Sequence, residues 1–309
     1  MTPTPSLPIA RIGNRAKREV VHRFPPAVWY AEARRAARVE RHRPLLPPLE
    51  APQRAQVRLL QEHGLVGTRW DHLGLPGTEE LQGLLLQLAA VLADRPAQGR
   101  HSVLLGREET LEDIRLWQWG LQPEVLDLVE NHLGVPVRYL GPLVHREVAD
   151  GRAVDTRQWH RDIEDHRMLK LLVWLNDVDD EGGPFTYLPR RTSDAAAREL
   201  RYVGGFVSDD RFAEVVAPSL WQRVTGPRWT AAMPDTARVF HRAAPPVARD
   251  RFSVTFTWMT RRPLATVPAP PWRADQVRRC VAGLDSRQRT ALPPAMLAAE
   301  AGRGRSWLR

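Results

Sequence analysis

The sequence predicts a mainly β fold with flanking helices, in which an N-terminal helical layer packs on a β core. Three observations predict it. Up to residue 133 the apolar residues recur at helical spacing; from 135 onward short β-like runs follow one another between glycine and proline turn signals; and the last of these runs alternates strictly between apolar and polar residues.

The 309-residue chain begins with a Pro- and Arg-rich arm, 1–48, whose best helical stretch, 27–41, is mostly charged residues and alanine and reads as a peripheral arm or cap helix. Within 78–95, Leu81, Leu84, Leu85, Leu88, Val91 and Leu92 mark one face of a helix that Thr78 is placed to cap. A helix over 110–119 opens with the capping-box-like Thr110 and Asp113, and one over 123–133 starts on proline and stops at Gly134. Strands are expected at 137–148, 157–162, 168–176, 184–188, 236–241 and 252–259, separated by turns such as Asp150-Gly151 and Gly182-Gly183-Pro184. One domain over 49–262 is expected to hold them. Segment 193–228 reads as an insertion of mixed helix and loop, and 263–309 as a peripheral C-terminal tail with two weakly helical pieces.

Composition excludes several classes. A lone cysteine, Cys280, makes neither an internal disulfide nor a cysteine-based zinc or iron–sulfur site. No run approaches the roughly 20 apolar residues that span a bilayer, and residues 1–10 lack the pattern of a secretion signal, so a cytoplasmic protein without membrane partners is expected. The formal net charge is +9, yet only Lys17 and Lys170 are lysines and the arginines are scattered along the chain. That distribution reads as compositional bias rather than as a nucleic-acid surface.

Chemistry concentrates in a few short stretches. In Trp159-His160-Arg161-Asp162, an extended backbone would turn His160 and Asp162 to the same face. Two histidines and one carboxylate on one octahedral face hold non-haem iron(II) and leave positions open. By spacing alone a surface His/Asp pair is the favoured reading. A third ligand candidate, His241, follows Ala237 and Val239 in period two, although an exposed or core-edge histidine is the plainer reading of that residue alone.

The run after His241 carries more weight. Phe252, Val254, Phe256 and Trp258 share one face and Arg251, Ser253, Thr255 and Thr257 the other. If this strand closes a barrel, its polar face lines a cavity in which a guanidinium and a hydroxyl can hold a carboxylate. In 168–176, Leu169, Leu171, Val173 and Leu175 form an apolar face, while Lys170, Leu172, Trp174 and Asn176 look the other way.

The ordered set of Trp159-His160-Arg161-Asp162, Lys170 to Val178, Gly182-Gly183-Pro184-Phe185, Leu188-Pro189, Phe240-His241-Arg242 and Arg251-Phe252-Ser253 resembles the phytanoyl-CoA dioxygenase-like family of iron(II)/2-oxoglutarate oxygenases, over about 137–260. The resemblance implies a double-stranded β-helix, a jelly-roll or cupin-like barrel with flanking helices. It further implies that His160, Asp162 and His241 bind iron(II) and that Arg251, with Ser253 beside it, holds the distal carboxylate of 2-oxoglutarate. Trp174 matches an aromatic position near this cosubstrate; Lys170, which its strand pattern leaves as either a solvent-edge or a cavity residue, is taken as a cavity residue beside the cosubstrate. The implied reaction consumes O2, hydroxylates a small-molecule C–H bond and converts 2-oxoglutarate to succinate and CO2. Halogenating relatives carry a small residue where this chain has Asp162, which favours hydroxylation.

The family's Pro-Gly-Ser-His reads here Pro189-Arg190-Arg191-Thr192-Ser193, a departure at the rim that bears on substrate class. Groups considered for orienting the ligands are Asp235, Asn176 and either His145 or His166. Arg198, Arg201, Arg211, Arg223 and Arg228 could meet an anionic substrate, although a solvated face weighs more. Two other readings stay open: a barrel that binds metal and 2-oxoglutarate as a sensor, and an oxygenase acting on nucleic acid.

Overall fold

The computed structural model describes residues 24–265 and 272–301. Among them the strands, in chain order, are β1 (Leu65–Arg69), β2 (Ser102–Leu104), β3 (Val137–Glu147), β4 (Met168–Trp174), β5 (Phe185–Tyr187), β6 (Gln222–Val224), β7 (Thr230–Pro234), β8 (His241–Ala243) and β9 (Arg251–Thr260). The helices are α1 (Pro25–His42), α2 (Ala51–His63), α3 (Thr78–Asp94), α4 (Arg107–Thr110), α5 (Ile114–Trp119), α6 (Pro123–Leu133), α7 (Arg190–Glu199), α8 (Asp209–Ala213), α9 (Ala274–Val281), α10 (Ser286–Ala291) and α11 (Pro294–Glu300). No described helix is long and apolar enough to cross a membrane.

The strands form two antiparallel sheets, one in the order β1-β7-β4-β9-β3-β2 and the other in the order β6-β5-β8. Helices pack on the outer face of the larger sheet. Period-two patterning explains which face they take: Leu169, Leu171 and Val173 of β4, with Val254, Phe256 and Trp258 of β9, enter the main core beside Leu81, Leu85 and Leu92 of α3 and Leu126 and Val129 of α6. Each such side chain contributes roughly 1.5–3 kcal/mol when removed from water. The strand faces turned away from this core enclose a cavity against the smaller sheet. A further apolar cluster of Trp159, Leu188, Phe212 and Phe240 backs that sheet on its far side.

Local signals account for the ends of these elements. Gly134 closes α6 in the left-handed conformation (φ 72°), and a Cβ there would meet Val39 of α1 at 3.1 Å, so the arm is docked closely at this point. Asp113 caps α5 by accepting from the backbone N–H of Arg115, which places the helix start four residues later than the Thr110 reading. Gly141 sits at a register shift between β3 and β9 with φ 95° against the Trp117 ring, where any side chain would clash.

Several expectations are corrected. Helical residues outnumber strand residues, so the fold is mixed rather than mainly β. Closure of the strands into one barrel is not seen among the described residues; the two sheets face each other across the cavity. The strands expected at 157–162 and 236–241 reduce to single bridges, His160 with His241 and Trp159 with Val207, and to the short β8. Part of the 193–228 insertion is β6, a strand of the smaller sheet. The C-terminal stretch is not peripheral over 272–301: Val277, Cys280, Val281, Leu292 and Met296 lie in the main core, because its short amphipathic helices complete the helical layer. Residues 266–271 and 302–309 of the expected tail, and residues 1–23 of the arm, lie outside the described residues.

Candidate metal and carboxylate site

His160 and His241 are 81 positions apart, yet their backbones form a hydrogen-bonded antiparallel pair, with each N–H donating to the other's carbonyl at 3.0 and 2.9 Å. Directly opposed residues of such a pair present their side chains on one face. The two imidazoles therefore point into the same cavity, with ring centroids 4.2 Å apart. Two residues on from His160, Asp162 donates its backbone N–H to the Thr236 carbonyl and turns its carboxylate to the same side. Its Oδ1 lies 3.9 Å from each histidine Nε2, and one ligand atom from each of the three residues falls within 4.8 Å of the others.

The tautomers suit a metal. His160 Nδ1 is 2.8 Å from the Gln158 carbonyl and His241 Nδ1 is 3.1 Å from the Val239 carbonyl. A carbonyl only accepts, so each Nδ1 carries the proton and each Nε2 presents a lone pair. Burial lowers the pKa of both imidazoles, which favours the neutral form that can offer Nε2 to a metal. Burial acts to raise the Asp162 pKa, but the Lys170 ammonium above all outweighs it and holds the carboxyl well below its usual range.

The cavity has a volume of about 430 Å³ and is lined by both sheets. Arg251, Ser253, Thr255 and Thr257 all line it, as do Lys170, Leu172 and Trp174, so the polar face of β9 and the second face of β4 look inward as their patterns suggested. Arg251 is almost fully buried, with its guanidinium 5.3 Å from the Trp174 ring centroid, and its Nε and Nη1 lack a hydrogen-bond partner among the described residues. Burial lowers its pKa to about 10, partly countered by Glu147, so it keeps its charge. Glu147 does not neutralise it directly, because its carboxylate is bonded to Arg157 at 2.8 Å. Ser253 Oγ meets His145 Nε2 at 3.1 Å, and burial above all brings His145 down to about 4, so this imidazole is neutral too. Trp174 is oriented by its Nε1–H donating to the Val224 carbonyl. Lys170 faces the cavity but pairs within the protein, its Nζ 2.7 Å from Asp162 Oδ2.

Other candidates are placed elsewhere. Asp235 accepts from the Met168 amide and pairs with His132, and Asn176 bridges Asp250 and Phe252. His166 does not line the cavity, whereas His145 does. Arg198, Arg201, Arg211, Arg223 and Arg228 are exposed and away from it, on the solvated face considered for them. Two aromatic neighbours were given no site role from the sequence: Phe185, quoted only within its Gly-Gly-Pro-Phe motif, stacks on His241 at 5.4 Å, and the half-exposed Phe206 stands edge-on to His160 at 5.2 Å. Phe206 follows Gly204-Gly205 in a loop, and nothing in its local pattern marks it.

No protein-family model and no curated protein matches the chain. Similar solved structures include HygX from Streptomyces hygroscopicus with nickel, 2-oxoglutarate and hygromycin B bound, 14% identical, covering 67% of this chain and 87% of that one, with a TM-score of 0.47. EctD from S. alaskensis in its apo form is 16% identical over 72% of this chain and 82% of that one, with a TM-score of 0.49. SnoN, a non-haem α-ketoglutarate-dependent epimerase from nogalamycin biosynthesis, is 18% identical over 72% and 93%, with a TM-score of 0.42.

Proposed function

We propose that this chain is an iron(II)/2-oxoglutarate-dependent oxygenase that hydroxylates a small molecule, taking substrate C–H, O2 and 2-oxoglutarate to C–OH, succinate and CO2. The observation that carries this reading is one cavity holding two inward Nε2 lone pairs, a carboxylate oxygen and an almost fully buried arginine with unpartnered N–H groups. His160, Asp162 and His241 would hold the metal, which when bound supplies the redox chemistry that activates O2. The two facing sheets are consistent with a double-stranded β-helix layout, and the phytanoyl-CoA dioxygenase-like family is the finer assignment we favour.

The chain's own residues set the geometry. Arg251 offers a guanidinium fork to the distal carboxylate of 2-oxoglutarate, with the Ser253 hydroxyl beside it and the Trp174 ring beneath. Leu172 and Phe185 line the cavity with apolar surface and exclude water from the site. The half-exposed Phe206 packs edge-on against the His160 ring and so helps to fix its orientation.

Anaerobic titration with iron(II) and 2-oxoglutarate tests the reading. A visible charge-transfer band is expected in the wild type and is expected to vanish in His160→Ala. No band, or a band that survives the substitution, sinks the proposal. Succinate released only when a candidate metabolite is added then separates an enzyme from a sensor.

A further inference from the structure

A second cavity, of about 560 Å³, opens at the opposite end of the two central strands. Arg38 and Arg41 of α1, Arg138 at the start of β3, and Arg261 and Arg262 just after β9 line it. The site described above sits by Glu147 and Arg251, at the other ends of β3 and β9. Nine residues of strand separate Arg138 from Glu147, roughly 30 Å.

Among the described residues no carboxylate lines this cavity, and none forms an ion pair with any of the five arginines. The nearby acids already have partners. Glu130 takes His42 at 2.6 Å and Arg287 at 2.7 Å. Asp165, which acts on Arg38 and Arg138 electrostatically, accepts the backbone N–H groups of His166 and Thr260 at 2.8 Å each. The Nε atoms of Arg38 and Arg138 are buried without a hydrogen-bond partner among the described residues. Like charges gathered in a concavity repel one another and focus a positive field, and an anion relieves both effects. Guanidinium forks match phosphate oxygens in particular, and five of them exceed what one phosphate can engage. The volume lies within the range of small-molecule pockets, roughly 300–1,000 Å³.

We infer that this cavity binds a small molecule through a diphosphate group. The test is calorimetry and thermal melting of the full chain, without added metal, using inorganic pyrophosphate and ADP as probes and citrate as a control trianion. One pyrophosphate site that raises the melting temperature is expected. The double variant Arg41→Gln/Arg261→Gln, at two exposed positions, should bind at least about tenfold more weakly, since charge-assisted hydrogen bonds are lost, while melting no lower than the wild type without ligand, since repulsion within the cavity is reduced. Arg262→Gln, also exposed, is the second variant should the double one fail to fold, and should weaken binding in the same direction. Arg251→Gln should bind pyrophosphate as the wild type does. Equal affinity for ADP and pyrophosphate means that the diphosphate alone is read, and tighter ADP binding means that a nucleoside is held as well; both support the inference. It is overturned by absent pyrophosphate binding, by binding undiminished in the cavity variants, by loss of binding in Arg251→Gln, or by citrate binding as tightly as pyrophosphate.

Discussion

Lys170 Nζ lies 2.7 Å from Asp162 Oδ2, the oxygen other than the one that faces His160 and His241. The lysine thus occupies one side of the carboxylate and leaves Oδ1 to the histidine side. A largely buried carboxylate without a counter-charge is costly, and in this protein the counter-charge is built into β4. Metal at the triad would bring a second positive charge to the same carboxylate.

Lys170→Met should therefore destabilise the metal-free protein by about 1–3 kcal/mol, the cost of leaving a buried charged group unpaired. The loss should shrink when iron(II) or a redox-inert divalent stand-in is added, because the metal replaces the missing charge. Melting curves with and without metal measure both quantities. An equal loss in the two states would mean that the lysine does not act through Asp162.

Arg251→Gln should weaken 2-oxoglutarate binding by roughly 10–150-fold, the range for hydrogen bonds to a charged group, with little change in metal affinity. Arg251→Lys should recover only part of the loss, since an ammonium lacks the bidentate fork. Titrating 2-oxoglutarate against the charge-transfer band distinguishes the two variants.

Acid should weaken the fold in a defined order. Burial lowers the His132 pKa, with Asp235 only partly offsetting it, so stability starts to fall as the pH drops below the usual histidine value of 6.5. Asp150 is brought down to about 2, burial being outweighed by hydrogen bonds from Arg152 and Arg157. A carboxyl with a depressed folded pKa adds stability above its usual 3.8, and that stability is lost as the pH falls through the folded value. Urea midpoints measured against pH should fall through both windows, and Asp150→Asn should lower the neutral-pH midpoint and flatten the decline between about pH 4 and 2.

Cys280 is buried in the core and burial pushes its thiol up to about 12. It should react with a disulfide reagent only after unfolding, in step with loss of structure. Rapid labelling of the native protein would contradict the packing of α9.

The site was legible wherever a local pattern carried it. Strict alternation over 251–258 marks one apolar and one polar face whatever the fold, because successive strand side chains point opposite ways. The same holds for Lys170 and Trp174 on β4. Phe206 and the Arg157–Glu147 pair were not legible, since both depend on loops whose paths are set by packing. The 157–162 stretch misled for a related reason: its residues have strand character, but only Trp159 and His160 form β-bridges.

What the sequence determined by itself was the inventory: a His-x-Asp, a later histidine, an arginine opening an alternating strand, and scattered arginines with few lysines to share the charge. Tertiary structure alone decided that the polar face of β9 looks into a cavity rather than into water, and that Lys170 meets Asp162. It also brought Arg38 to the Arg262 carbonyl, 224 positions away, inside an arginine-lined cavity. Local patterning is set by the periods of helix and strand, whereas contacts between such distant residues arise when whole layers pack, and no short stretch of sequence carries their signature.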